Sequence, residues 1–177
     1  MERKPQILKI NSMTNIQLKK QKYITDPIYK DILVNRFVNN LMKNGKKNLA
    51  YNIFYDAMKI VKESKENIEK NELEIWKQAL NNIMPHIELR SRRIGGSTFQ
   101  IPTTIRLDRK VSLAIKWLIN CARNRNEKSM SEKLASEILS AAREEGAAVK
   151  KRMETHKMAE SNKAFSHLNY GKESKIH

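Results

Sequence analysis

Between residues 86 and 106 the apolar positions change period, and that change limits the fold more than any other feature of the chain. Ile87 and Leu89 alternate with Glu88 and Arg90; beyond Gly95-Gly96, Phe99, Ile101 and Ile105 alternate with polar residues. Two period-2 runs about a glycine pair predict a β-hairpin. Its connecting loop is expected to be longer than the tightest two-residue type, so that the hairpin projects as an arm. On both sides of it the apolar spacing is helical.

Thr25-Asp26-Pro27 predicts a helix start, because Asp caps and Pro suits the first helical position. Ile28, Leu33, Phe37 and Leu41 follow at near-helical spacing, and Asn44-Gly45 ends the run. A second helix is predicted from about Lys46, with Leu49, Ile53, Ala57 and Ile60/Val61 inward. Glu63–Lys70 is polar and is expected to be a loop. Asn71-Glu72-Leu73-Glu74 resembles a capping box and opens a third helix with Leu73, Trp76, Leu80 and Ile83 inward, closed by Pro85. Past the hairpin, Val111, Ala114, Ile115, Leu118, Cys121 and Ala122 mark a fourth helix, apolar over most of its girth and therefore central. Ser129-x-x-Glu132 opens a fifth (Leu134, Ile138, Ala141, Ala142) that stops at Gly146. A sixth runs from about Ala147 to Leu168. The fold class is mainly α: one bundle of about six helices with a β-hairpin arm (about 86–106) inserted between helices three and four. Residues 1–22 form a basic arm, 23–168 the helical domain and 169–177 a polar tail.

Charge narrows the partners. Lys and Arg number 35 against 19 acidic residues, a net charge of +16. An excess of that size is expected where a polyanion compensates it. Cys121, alone, excludes an intramolecular disulfide framework and a multi-cysteine zinc site, and its apolar helix marks it as a small core residue. The four histidines form no chelating pair, and phosphate-cradling glycine loops and nucleophile elbows are missing, so neither a metal, a cofactor nor catalysis is expected. No apolar run approaches the ~20 residues of a membrane span, and the start resembles neither a secretory signal nor an Arg- and Ser-rich presequence.

The basic residues gather in four places. Arg3, Lys4, Lys19, Lys20 and Lys22 lie in the N-terminal arm. Lys46 and Lys47 open the second predicted helix, where ammonium groups and free backbone N–H groups together suit a phosphate. Arg90, Arg92 and Arg93 climb one limb of the hairpin towards Gly95 and Gly96, and Arg106, Arg109 and Lys110 extend the charge beyond the second strand. The chain holds 24 lysines and 11 arginines, so an arginine cluster is a pointed choice; its planar fork grips phosphate bidentately and stacks on bases. Lys150, Lys151 and Arg152, with Lys157 and Lys163, lie on the last predicted helix. The few aromatics nearby (Phe99, Phe165, Tyr170) argue against a single-strand stacking platform and for folded RNA recognised by shape and phosphate. A basic helical DNA-binding or nucleoid protein is the alternative that charge alone permits, although no recognition-helix motif is evident.

Asp26-Pro27 through Leu41-Met42, Gly45-Lys46-Lys47, and Ser91-Arg92-Arg93-Ile94-Gly95-Gly96-Ser97-Thr98-Phe99-Gln100-Ile101-Pro102 together resemble bacterial small-subunit ribosomal protein seven. So do Ala114-Ile115-Lys116-Trp117, Lys128-Ser129-Met130, the run from Gly146 to Arg152, and His156 to Phe165. The resemblance implies a helical bundle with a hairpin arm that binds the 3′ major domain of small-subunit rRNA and organises assembly of the head. It also implies a hairpin near the exit-site tRNA and the mRNA exit, neighbouring head proteins as partners, and no self-association. By position, Lys46, Lys47, Arg90, Arg92, Arg93, Lys128, Lys150, Lys151 and Arg152 would face RNA, and Gly95 and Gly96 would shape the hairpin tip. Extensions at both ends, and the abundance of Lys, Asn (17) and Ile (19) that AT-rich codons produce, lead to the expectation of an organellar ribosome, mitochondrial before plastid, with the bacterial cytoplasm as the other alternative.

Overall fold

The computed structural model describes residues 25–64 and 71–169. The arm at 1–22 and the tail from residue 170 onward lie outside the described residues. Helices α1 (Ile32–Leu41), α2 (Lys47–Glu63) and α3 (Glu72–Ile83) precede an antiparallel hairpin, β1 (Ile87–Ile94) and β2 (Ser97–Thr104). Then come α4 (Leu107–Arg123), α5 (Met130–Ala142), α6 (Ala147–Ser161) and a 3-10 turn over Lys163–Asn169. The mainly helical architecture, with its hairpin between the third and fourth helices, is the one predicted.

The chain enters α1 later than Asp26-Pro27 suggests. Asp26 is buried, and its Oδ2 accepts the backbone N–H groups of Ile28 and Tyr29 at 3.1 and 2.7 Å, which makes a turn rather than a helix cap. Lys30 follows with φ +51°, outside helical geometry. Extended Asp31 then caps the helix, accepting from the Leu33 N–H at 2.8 Å. Ile28 therefore precedes α1 and is exposed.

α2 also departs from its predicted face. Ala50, Phe54, Ala57, Met58 and Val61 are buried, whereas Leu49 is 55% exposed and Ile53 and Ile60 are half-buried. The helix carries two apolar stripes, and the neighbours select the one holding Phe54. Phe54, Phe37 of α1 and Trp76 of α3 form a knot of fully buried rings with centroids 5.4–5.5 Å apart. Burying a side chain of this kind stabilises by about 1.5–3 kcal/mol. α5 packs its Leu134, Ala135, Ile138 and Ala141 against α2, α3 and α4, while α4 reaches α1, α3, α5 and α6. Ser129 and Glu132 form the reciprocal capping box at the start of α5.

The junction between α5 and α6 is polar and closed. Glu137, fully buried, takes the Arg125 Nε at 2.6 Å and the Ala148 backbone N–H at 2.9 Å. A carboxylate on one helix thereby caps the N-terminus of the next. Arg125 also reaches Ser140 Oγ at 2.9 Å and Glu127 at 3.3 Å. Gly146 is the N-cap residue of α6 rather than the end of α5, with φ +92°. A Cβ there would lie 3.1 Å from Ser140 Cβ and 3.2 Å from Glu137 Oε1, so the approach needs glycine. α6 ends at Ser161, short of the predicted Leu168, and the chain tightens into the 3-10 turn.

Candidate nucleic-acid interface

The strand register pairs Ile87 with Thr104 at the root and Ile94 with Ser97 at the tip. Only Gly95 and Gly96 remain to turn the chain, which corrects the expected longer loop. Both have positive φ, +56° and +89°, the combination that tight two-residue hairpins of the primed type need and that glycine supplies without strain. Eight residues per strand give a ribbon about 26 Å long. Residues 90–98 are all exposed.

Alternation divides the hairpin arginines between the two faces. Arg92 lies opposite Phe99 and Arg93 opposite Thr98. Arg93 is exposed and has no ion-pair partner among the described residues. Phe99 packs on Phe165 of the 3-10 turn with ring centroids 5.2 Å apart, which ties the second strand to the end of the bundle. Arg90 and Arg109, both assigned to RNA from the sequence, converge on Glu88 at 2.7 and 3.2 Å. Burial works to raise the Glu88 carboxyl, and the hydrogen bonds and charges of Arg90 and Arg109 outweigh it, holding the group below the usual carboxylate range. These two arginines stiffen the root of the hairpin, and the tip keeps Arg92 and Arg93.

At the start of α2, Asn44 and Gly45 both take positive φ (+51° and +72°) and present Lys46 and Lys47 at the helix N-terminus. The first turn of α2 holds no acidic residue. Lys47 Nζ lies 5.6 Å above the Tyr51 ring, and the Tyr51 hydroxyl donates to Asn35 Oδ1 at 2.9 Å. Tyr55 stacks on Tyr51 at 5.7 Å and donates to Asp26 Oδ1 at 2.7 Å. Its burial, then its bond to the Asp26 carboxylate, push the Tyr55 hydroxyl well above the usual tyrosine range. Arg106 is the exposed N-cap residue of α4, Lys128 is exposed in the loop before α5, and Lys110 is half-buried with Nζ 3.3 Å from His86 Nδ1.

On α6, Lys150 and Lys151 are exposed, and Lys151 Nζ stands 5.8 Å above the Trp117 ring of α4. Arg152 differs from its neighbours: its guanidinium donates to the Asn82 carbonyl at the end of α3, so it joins two helices. Lys163 is exposed in the 3-10 turn. Of the RNA-facing residues proposed from sequence, the structure leaves Lys46, Arg92, Arg93, Arg106, Lys128, Lys150, Lys151 and Lys163 outward. It engages Arg90, Arg109 and Arg152 within the fold; Arg3, Lys4, Lys19, Lys20 and Lys22 lie outside the described residues.

Three arginines that the sequence reasoning passed over have clear work inside the fold. Arg125 neutralises Glu137; Arg123 donates to the Leu41 carbonyl at 3.2 Å; Arg36 donates to the Asp108 carbonyl at 3.0 Å and to Ser112 Oγ. Two of them close helix α1 against α4. A glutamate set among the apolar positions of its helix, Leu134, Ala135, Ile138 and Ala141, was the available sequence signal for the first. Cys121 is half-buried, and burial raises its thiol pKa, so it stays a thiol at neutral pH. Among the described residues no group of His, Cys, Asp and Glu could hold a metal ion, and no helix is long and apolar enough to cross a membrane.

Comparison with known proteins gives a consistent picture. A family described as "Ribosomal protein S7p/S5e" matches residues 13–163. The small ribosomal subunit protein uS7 of Flavobacterium johnsoniae is 64% identical over 152 residues, 86% of this chain and 96% of that protein. The uS7 of Christiangramia forsetii is 63% identical over 158 residues, covering 89% of this chain and all of its own. That of Karelsulcia muelleri is 58% identical over the same shares.

Proposed function

The chain belongs to the ribosomal protein S7p/S5e family, and from that premise we propose that it binds the 3′ major domain of small-subunit rRNA and organises assembly of the head. It is a structural constituent of the small ribosomal subunit, with rRNA and ribosomal proteins as partners. Its role is architectural rather than catalytic. The hairpin tip reaches towards exit-site tRNA and the mRNA exit, and head proteins flank the bundle. The observation that carries this reading is the exposed hairpin: a glycine-turned ribbon whose tip holds Arg92 and Arg93 and whose acidic residue, Glu88, is already consumed at the root. Lys46, Lys128, Lys150 and Lys151 supply further outward charge for phosphate contacts.

The relatives described above are bacterial and lend no support to the mitochondrial expectation. They favour the bacterial cytoplasm, with the Lys-, Asn- and Ile-rich composition then a property of an AT-rich bacterial genome. The test is sedimentation of a lysate at high salt with detection of this chain. Co-migration with the small subunit, surviving the wash, is the expected result; recovery only in free or DNA-bound fractions would overturn the reading.

A further inference from the structure

The hairpin is fixed to the bundle at its root through two histidines. His86, the residue before β1, donates its backbone N–H to Nε2 of His156 on α6 at 3.1 Å. The two rings stack with centroids 5.9 Å apart and 29° between their planes. An imidazole nitrogen accepts a hydrogen bond only when it carries no proton, so this bond specifies a neutral His156 with its proton on Nδ1.

Among the described residues a protonated His156 would find no ion pair already formed for it, although the exposed acid Glu160 stands one turn further along α6. From the hairpin root it faces His86, whose Nδ1 lies against the Lys110 ammonium of α4 at 3.3 Å. One turn away on its own helix stands the Arg152 guanidinium, held by the Asn82 carbonyl at the end of α3. β2 carries no titratable side chain. The carboxylate beside the root, Glu88, is occupied by Arg90 and Arg109. A proton on His156 would thus remove the acceptor of the His86 N–H and add a positive charge beside His86 and Arg152. Burial, then the charges of His86 and Arg152, lower its pKa accordingly.

We propose that the His86–His156 contact is a proton-released pin that holds the hairpin root to α6 when His156 is neutral and frees it when His156 is protonated. Release would leave the hairpin held by the Arg109–Glu88 ion pair to α4, by buried Ile101 and by Phe99 on Phe165, so the β1 side of the root loosens from α6 while those anchors stay. The pin belongs to the protein by itself, and its test needs no RNA, so its failure is separate from any failure of the ribosomal reading.

The experiment is amide hydrogen exchange and histidine NMR on the full chain from pH 8 to pH 5. Wild type is compared with His156→Gln, whose amide oxygen accepts at all these pH values, and with His156→Phe, which stacks but cannot accept. Once the intrinsic exchange rate is divided out, protection of the His86 N–H should fall about tenfold as the His156 ring titrates. The pH dependence should vanish in His156→Gln, and His156→Phe should be unprotected throughout. Protection that stays constant while His156 titrates in wild type, or a pH dependence that persists in His156→Gln, would overturn the proposal.

Discussion

Two arginine clusters in this molecule use the same side chain to opposite ends. Arg125 sits in the junction of α5 and α6 against a carboxylate that is fully withdrawn from water, with Ser140 and Glu127 taking its remaining donors. Arg92 and Arg93 stand on a ribbon exposed from residue 90 to residue 98. The first cluster is satisfied from within and fixes where α6 begins. The second faces outward and, in the proposed function, is completed by phosphate. Number of arginines is therefore no guide to an interface; what separates the two is that Arg125 is drawn to a carboxylate withdrawn from water, whereas Arg92 and Arg93 stand exposed to solvent. Arg90 makes the point within the hairpin itself, since Glu88 recruits it to the fold two residues from Arg92.

The contrast can be broken most forcefully at the interior. Glu137→Ala leaves the Arg125 guanidinium and the start of α6 without their partner and should cost about 3–5 kcal/mol, seen as a lower urea midpoint. Gly146→Ala should destabilise by about 1–3 kcal/mol in the same assay, since the added Cβ meets Ser140 and Glu137 at a positive φ. At the hairpin turn, Gly96→Ala meets no neighbour and carries only the strain of its φ, about 1 kcal/mol, with the loss confined to β1 and β2 by hydrogen exchange.

Acid should loosen the root of the hairpin next. The folded Glu88 carboxyl lies below its ordinary value, so its contribution is complete above that value and is lost as pH falls through the folded one. Exchange protection of β1 should decline as pH falls below the ordinary glutamate value, about 4.3, and less steeply in Glu88→Gln. The smallest effect on stability belongs to Arg93→Ala, within about 0.5 kcal/mol, yet it should weaken binding to the rRNA fragment and reduce the salt slope by about one. If ~8–10 phosphates are engaged, the wild-type slope is on the order of −6 to −9. A large fall in thermal stability in Arg93→Ala, with binding retained, would reverse the assignment of the two clusters.

What could be foreseen follows the range of the interactions. The hairpin, the helix order and the Ser129–Glu132 capping box depend on residues a few positions apart, and period and capping chemistry expose them. The inward face of α2 does not, because Leu49 and Phe54 head two apolar stripes on one helix and only packing against Phe37 and Trp76 chooses between them. The length of the hairpin loop was missed because residues 91–98, all exposed, give no apolar alternation at the tip, so β1 runs four residues and β2 two beyond the alternating pattern. Roles of individual cations were the least legible. Arg152 and Asn82 are 70 residues apart in the chain, and Arg123 and Leu41 are 82 apart. No local pattern connects such pairs.

The two-glycine turn also limits how the hairpin can change length over evolutionary time. Side chains on a strand change sides at every residue, and the turn fixes which residues stand opposite one another. Losing or gaining a single residue in β1 between the root and Arg92 would leave Arg92 opposite Phe99 but turn every β1 residue on the root side of the change to the opposite face from its β2 partner. A deletion that removes one cross-strand pair from each strand shortens the ribbon and also exchanges the two sides at the tip. Removing two pairs keeps both the length match and the side each arginine occupies. Viable hairpins of other lengths should therefore differ from this one by multiples of four residues, in steps of about 7 Å of reach.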